Sequence, residues 1–96
     1  MLFDERIKVI ADFYGMEQIN QLSEECCELS VSCHHFMRGD EKGTLKERKN
    51  DLLSEICDVE IMISQIKYIL NISDTDIEQI VEQKLNRQLE RIEENE

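Results

Sequence analysis

Two pairs of acids could do chemistry in this chain. Glu25 and Glu28 lie in the run Glu24-Glu25-Cys26-Cys27-Glu28, and Glu55 and Asp58 lie in Glu55-Ile56-Cys57-Asp58. The frame around them repeats as well: Leu22, Glu25, Cys26, Cys27, Glu28 and Leu29 align with Leu52, Glu55, Ile56, Cys57, Asp58 and Val59. At about 100° per residue, each pair sits on the shoulder of its helix's apolar stripe, about 60° and about 120° from the seam. Helices packed along those stripes would bring four carboxylates to the edge of one core. Such a cluster repels itself at low dielectric unless a cation neutralises it. Ligands that are all oxygen suit a hard cation, Mg2+ or Mn2+. A solvated acidic rim is the plainer alternative, but two unrelated rims rarely match in both spacing and angle. Glu24 lies further round its helix, where it could bind a second metal, orient a water or face solvent.

The bases offer a counterpart. Lys84, Arg87 and Arg91 fall on one side of the last predicted helix, in a chain with 22 acids and 11 bases. Either they form a solvated strip paired with Glu78, Glu82 or Glu90, or they clamp an anionic substrate, phosphate above all; the scarcity of bases favours the clamp. Lys42, Lys46, Arg48 and Lys49 sit in or near a polar loop, where closing over a ligand and simple solvation are both open. Other chemistries lack their patterns. No GxxxxGK[ST] or GxGxxG run is present, and no CxxC spacing supports zinc. A di-iron bundle would want Glu-x-x-His, whereas Glu25 and Glu55 are followed at i+3 by Glu28 and Asp58. His35 falls on the same broad side as Glu28.

The elements that must position these groups are helical. Residues 4–14 show a short amphipathic pattern (Ile7, Ile10, Ala11, Tyr14) that Gly15 breaks. Residues 17–38 carry the stripe Ile19, Leu22, Cys26, Leu29, Cys33, Phe36, a bundle seam that makes Cys26 and Cys33 small core residues. Gly39 is the expected C-cap, and Gly39 to Arg48 reads as a loop. A third helix from about Glu47 to Asn71 has the stripe Leu52, Ile56, Val59, Ile63, Ile66, Leu70, with Leu53, Cys57 and Ile61 on another side. Apolar on more than one face, it calls for a second partner, most simply another subunit. Ser73 is the expected N-cap of a fourth helix over about 74–93, and the acidic tail 93–96 is expected to fray.

Ninety-six residues without proline, with few glycines and few aromatics, make one helical domain whose core gains from oligomerisation. A net charge of −11 argues against binding nucleic-acid polymers. A phosphate ligand stays possible, because a bound metal inverts the local field. No apolar run approaches the ~18 residues that span a membrane. The charged start, Met1-Leu2-Phe3-Asp4-Glu5, does not read as a signal peptide, so the expectation is a cytoplasmic protein with reduced thiols.

The spacing Glu24-Glu25-x-x-Glu28, twenty-six residues, then Glu55-x-x-Asp58 resembles the MazG-like all-α nucleoside triphosphate pyrophosphohydrolases, whose signature is EExxE, a similar spacer, then ExxD. The likeness extends to Tyr14-Gly15 with Gln18, to Phe36-Met37-Arg38-Gly39, to Ile61-Met62, and to Lys84-x-x-Arg87-x-x-x-Arg91, covering about residues 13–92. It implies a single MazG-like domain over residues 1–96, a bundle of four helices per chain completed by homodimer or homotetramer formation. It implies Mg2+-dependent conversion of an NTP or dNTP and water to the monophosphate and pyrophosphate, a nucleotide-pool housecleaning reaction. Carried over, Glu25, Glu28, Glu55 and Asp58 would hold Mg2+, Glu24 would assist, and Lys84, Arg87 and Arg91 would contact the triphosphate. Candidate base contacts are Phe13, Tyr14, Gln18, His34, His35 and Asn86, and no spacing selects a base. Two alternatives stay open: a phosphoribosyl-ATP pyrophosphohydrolase-like enzyme, and a non-catalytic nucleotide- or metal-binding regulatory module.

Overall fold

The computed structural model describes residues 4–39 and 43–95, so Lys42, the first three residues and Glu96 lie outside it. Among the described residues the protein is all-α: α1 (Glu5–Tyr14), a 3-10 turn (Gly15–Glu17), α2 (Gln18–Arg38), α3 (Leu45–Ile69) and α4 (Asp74–Asn95). Three of the four α-helix starts, all but that of α2, have a side-chain cap. Asp4 accepts from the Arg6 backbone N–H at 2.9 Å, Thr44 from that of Glu47 at 3.1 Å, and Ser73 from that of Asp76 at 3.1 Å. Thr44 sets α3 in motion at Leu45, two residues before the sequence expectation. Gly39 ends α2 as expected, at φ 70°, a left-handed conformation that glycine adopts without steric penalty. The acidic tail stays helical to Asn95 instead of fraying.

α2 and α3 form the central antiparallel pair, and α1 lies against α3. The less exposed positions give the true seam: Gln18, Leu22, Glu25, Leu29, Ser32 and Phe36 on α2, and Arg48, Leu52, Glu55, Val59, Met62, Ile66 and Ile69 on α3. Both run in alternating steps of four and three, the spacing of knobs-into-holes packing. This corrects the apolar reading at every second position. Gln18, Glu25 and Ser32 replace Ile19, Cys26 and Cys33, while Glu55, Met62 and Ile69 replace Ile56, Ile63 and Leu70. Cys26 and Cys33 are exposed in the single chain, not core residues.

In an antiparallel pair with this register, the residues just beyond the seam on one side meet each other. On one side Ile19 lies beside Ile63 and Cys26 beside Ile56, a band that remains exposed and that Cys33 and Leu70 extend at its two ends. On the other side are Glu28 and His35 beside Asp51 and Asp58.

α1 buries Ile7 and Ala11, and Asp12 accepts a 2.8 Å bond from the Tyr68 hydroxyl of α3. At the base of the pair Gln18 Nε2 donates to Gln65 Oε1 at 2.7 Å, and Gln65 is only 2% exposed. A buried amide leaves few alternatives to that partner, so the bond fixes the register of α2 against α3.

The corner between α3 and α4 is tightly built. Ile72 N–H returns to Lys67 O at 2.8 Å and Asn71 N–H to Tyr68 O at 3.2 Å, with Asn71 at φ 54°. This is a Schellman turn, with asparagine in the left-handed position. Lys67 Nζ then bridges to Asp74 at 2.7 Å. Beyond that corner α4 barely touches the other helices, and every residue in it except Ile77 is exposed. The radius of gyration is 16.6 Å, against about 13 Å for a compact chain of this size. One chain thus has three packed helices and a projecting fourth. Its exposed stripe of Ile80, Val81, Leu85, Leu89 and Ile92 has helical spacing.

Candidate functional site

The α2–α3 seam changes character along its length, and the candidate site is where charge enters it. Glu25 comes from the middle of α2 and Glu55 from the facing turn of α3, both half-buried, while Glu28 stands exposed one turn beyond Glu25. One carboxylate oxygen from each of the three lies within 4.8 Å of the others. Gln21 Nε2 donates to Glu25 Oε1 at 3.0 Å. Glu25 Oε2 and Glu55 Oε2 are shielded from solvent with no hydrogen-bond partner among the described residues. Leaving such acceptors unpaired is costly.

Glu28 feels the consequence. Its carboxyl is pushed above the ordinary range, first by the charge of Glu25, then by desolvation, then by Glu55, a hydrogen bond with Glu25, and Asp58. Asp58, one turn after Glu55, joins the repulsion from the rim, while the mutual 4.8 Å set comprises Glu25, Glu28 and Glu55. Three converging carboxylates, two of them with a shielded oxygen unpaired among the described residues, could hold a hard divalent cation, and the donor set is of the type Mg2+ and Mn2+ accept.

A cleft of about 550 Å³ opens from these acids toward the loop end of the pair, lined by Glu28, Val31, Ser32, His35, Arg48, Asp51, Ser54 and Glu55. Arg48, which the sequence reading assigned to a loop, lies in the first turns of α3. Its Nη1 donates to Gly43 O at 2.9 Å, and its Nε is buried without a partner among the described residues. The four-three steps that lead back from Val59 through Glu55 and Leu52 reach Arg48, so the signal for it was the true seam register. Lys46 and Lys49, by contrast, are exposed.

Other predicted residues lie elsewhere in the chain. Lys84, Arg87 and Arg91 share a separate hollow of about 410 Å³ along α4 with Ile80, Gln83 and Gln88. Within one chain the acids and the basic triad line different hollows. Asn86 is exposed on α4 and is not part of the hollow's lining. Glu24 is exposed and lines a hollow with Tyr14, Glu17 and Gln21, apart from the acid cluster. Gln18 gives its amide to Gln65, a structural bond rather than one into the cleft. Phe13 and Tyr14 meet edge to face at 4.9 Å, and Phe13 is 80% exposed. His34 is exposed, and His35 lines the cleft.

Compared with protein-family models, curated proteins and solved structures, the chain matches none. The functional reading therefore rests on its own residues and on the motif resemblance.

Proposed function

We propose that the protein is a Mg2+-dependent nucleoside triphosphate pyrophosphohydrolase of the MazG-like kind, which hydrolyses an NTP or dNTP to the monophosphate and pyrophosphate and serves nucleotide-pool housecleaning. The observation that carries this reading is the convergence of Glu25, Glu28 and Glu55 on one point, with two shielded oxygens lacking partners. In this reading those three residues and Asp58 hold Mg2+. When bound, the ion neutralises phosphate oxygens and lowers their repulsion toward an incoming nucleophile. The protein's own part is positional and acid–base. The rim carboxylates orient a water toward the α-phosphorus and accept its proton, and pyrophosphate leaves. Glu24 is an auxiliary acid at most, since it faces a neighbouring hollow.

The triphosphate needs a cationic clamp, and Lys84, Arg87 and Arg91 are suited to that role. Because α4 projects from its own chain, we place the triad of a second copy over the acidic cleft. Two features support a homodimer or homotetramer: the exposed band Ile19, Ile56, Ile63 and Leu70, and the exposed stripe of α4. A second copy would cover both and complete the four-helix bundle. All four cysteines are free, which suits a cytoplasmic setting. Among the described residues no helix is long and apolar enough to cross a membrane.

The test is Mg2+-dependent release of pyrophosphate and monophosphate across a panel of NTPs and dNTPs. Equimolar release of the two products, abolished in Glu55→Gln, is expected. Absence of release by a folded protein that binds Mg2+ would overturn the hydrolase reading.

A further inference from the structure

The proposed chemistry uses the acids and α4 but leaves the far end of the α2–α3 cleft without a role. That end is a built surface. Arg48 is half-buried and anchored by Nη1 to Gly43 O, so its guanidinium is held in place rather than waving in solvent. Its Nε is buried and lacks an acceptor among the described residues, a costly state for a group that is always charged. Asp51 lies one turn on, on the same wall of the cleft. Ser32 and His35 face them from α2.

Resting on the hydrolase reading, we propose that Arg48 and Asp51 form the nucleobase subsite of this cleft. Arg48 donates to a carbonyl or ring-nitrogen acceptor on the base edge, and Asp51 accepts from a neighbouring exocyclic amine. Position supports this assignment over a phosphate contact. Arg48 and Glu55 share the seam face of α3 seven residues apart, about 10 Å along the axis. With the phosphates at the acids, a group that far down the cleft meets the opposite end of a nucleotide.

The donor inventory narrows the ligand. Arginine offers only donors and an ionised aspartate only acceptors, and residues three apart on a helix present their side chains side by side. Cytosine, adenine and guanine each place an amine beside an acceptor. Uracil and thymine flank their single N–H with two carbonyls, one of which would face the Asp51 carboxylate. The subsite therefore favours the amine-bearing bases.

The experiment compares a nucleotide with a ligand that has phosphates and no base. KM for CTP, ATP, GTP and UTP, and the inhibition constant of inorganic tripolyphosphate, are measured with Mg2+ for the wild type, Arg48→Met, Arg48→Lys and Asp51→Asn. Thermal melting of each full chain verifies folding. The Met variant is expected to raise KM about tenfold or more and to leave tripolyphosphate inhibition within about twofold. Lysine keeps the charge and can reach Gly43 O but lacks the planar fork, so KM stays raised. Asp51→Asn narrows the gap between amine-bearing bases and uracil. The inference is overturned if tripolyphosphate weakens in parallel with the nucleotides, if Arg48→Lys restores wild-type KM, or if no variant changes KM. Calorimetric Kd values for CTP and tripolyphosphate give the same comparison without turnover. A wild type that binds both but releases no pyrophosphate overturns the hydrolase reading and leaves the Arg48 comparison decisive. A wild type that binds neither overturns both.

Discussion

The two halves of the α2–α3 seam share one helical register and do opposite things with it. In the half next to α1, seam positions hold Val59, Met62, Ile66 and Ile69, and the buried polar groups Gln18 and Gln65 satisfy each other at 2.7 Å. In the other half Glu25, Glu55 and Arg48 interrupt a seam of Leu29, Phe36 and Leu52, and each of the three has a shielded polar atom without a partner among the described residues. Packing density alone would favour apolar residues at both ends. A seam that satisfies its polar groups at one end and leaves them short at the other separates stability from binding along a single helix pair. The first half holds the fold, and the second is shaped for something that arrives from outside.

Substitutions in the two halves should therefore fail in different ways. The largest effect is expected from Glu55→Gln, which keeps the shape and removes a charge. Pyrophosphate release should fall on the order of 10²–10³-fold, while melting temperature in EDTA holds or rises, because repulsion at Glu28 is relieved. A Glu55→Gln protein that melts well below wild type without Mg2+ would make Glu55 a structural residue and erase the contrast. Next comes Met62→Ala in the satisfied half. Met62 is 6% exposed and accepts a weak bond from Gln65 Nε2 at 3.6 Å. Its truncation should lower stability by about 2–5 kcal/mol in urea unfolding and leave KM of the remaining folded protein unchanged.

Much of this was legible in the residues. Helix limits followed from Gly15, Gly39 and Ser73, whose breaking and capping chemistry is local and needs no tertiary knowledge. The acids were found by spacing, and Glu25, Glu28 and Glu55 do converge. The seam register was not legible, because hydrophobicity reports burial against any partner. Ile19, Ile56 and Ile63 are apolar yet exposed beside this seam, while Glu25 and Ser32 lie within it. A pattern rule choosing the most apolar stripe selects the face a single chain leaves open. The same ambiguity hid Arg48, which stands between Lys46 and Lys49 where the polar segment runs into the third helix, one base among several. The projection of α4 was also out of reach: an amphipathic helix declares that it has a partner, but not whose.

The contrast also predicts a pH dependence. Glu28 is surrounded by acids, and its carboxyl in the folded protein takes up a proton more readily than in the unfolded chain. Over the interval that begins near its ordinary 4.5 and runs upward, the native state binds more protons than the unfolded one. Stability of the metal-free protein is then fully retained below that interval and declines as pH rises through it. Urea unfolding in EDTA, followed upward from pH 4.5, should show this negative slope. Mg2+ should remove it, and Glu28→Gln should flatten it. A slope that Mg2+ leaves unchanged would mean the acids do not share a cation.

The smallest effect expected is at the start of α1, and it sharpens the comparison because the same functional group behaves oppositely there. Asp4 accepts from the Arg6 backbone N–H at 2.9 Å and from the Arg6 guanidinium at 2.9 and 2.7 Å. These bonds pull its carboxyl from 3.8 down to about 2. Between those values the unfolded chain binds more protons, so the contribution is present above pH 3.8 and is lost as pH falls toward 2. Asp4 is solvent-facing, so salt screens the pair and the gain is modest. Asp4→Asn should flatten only this acid limb in pH-dependent unfolding, weakly, and more weakly still in high salt. The limb belonging to Glu28, which lies above 4.5, should be untouched. If Asp4→Asn altered that slope, it would report the chain's overall negative charge rather than three carboxylates meeting in the seam. The distinction between the satisfied and unsatisfied halves would then lose its electrostatic basis.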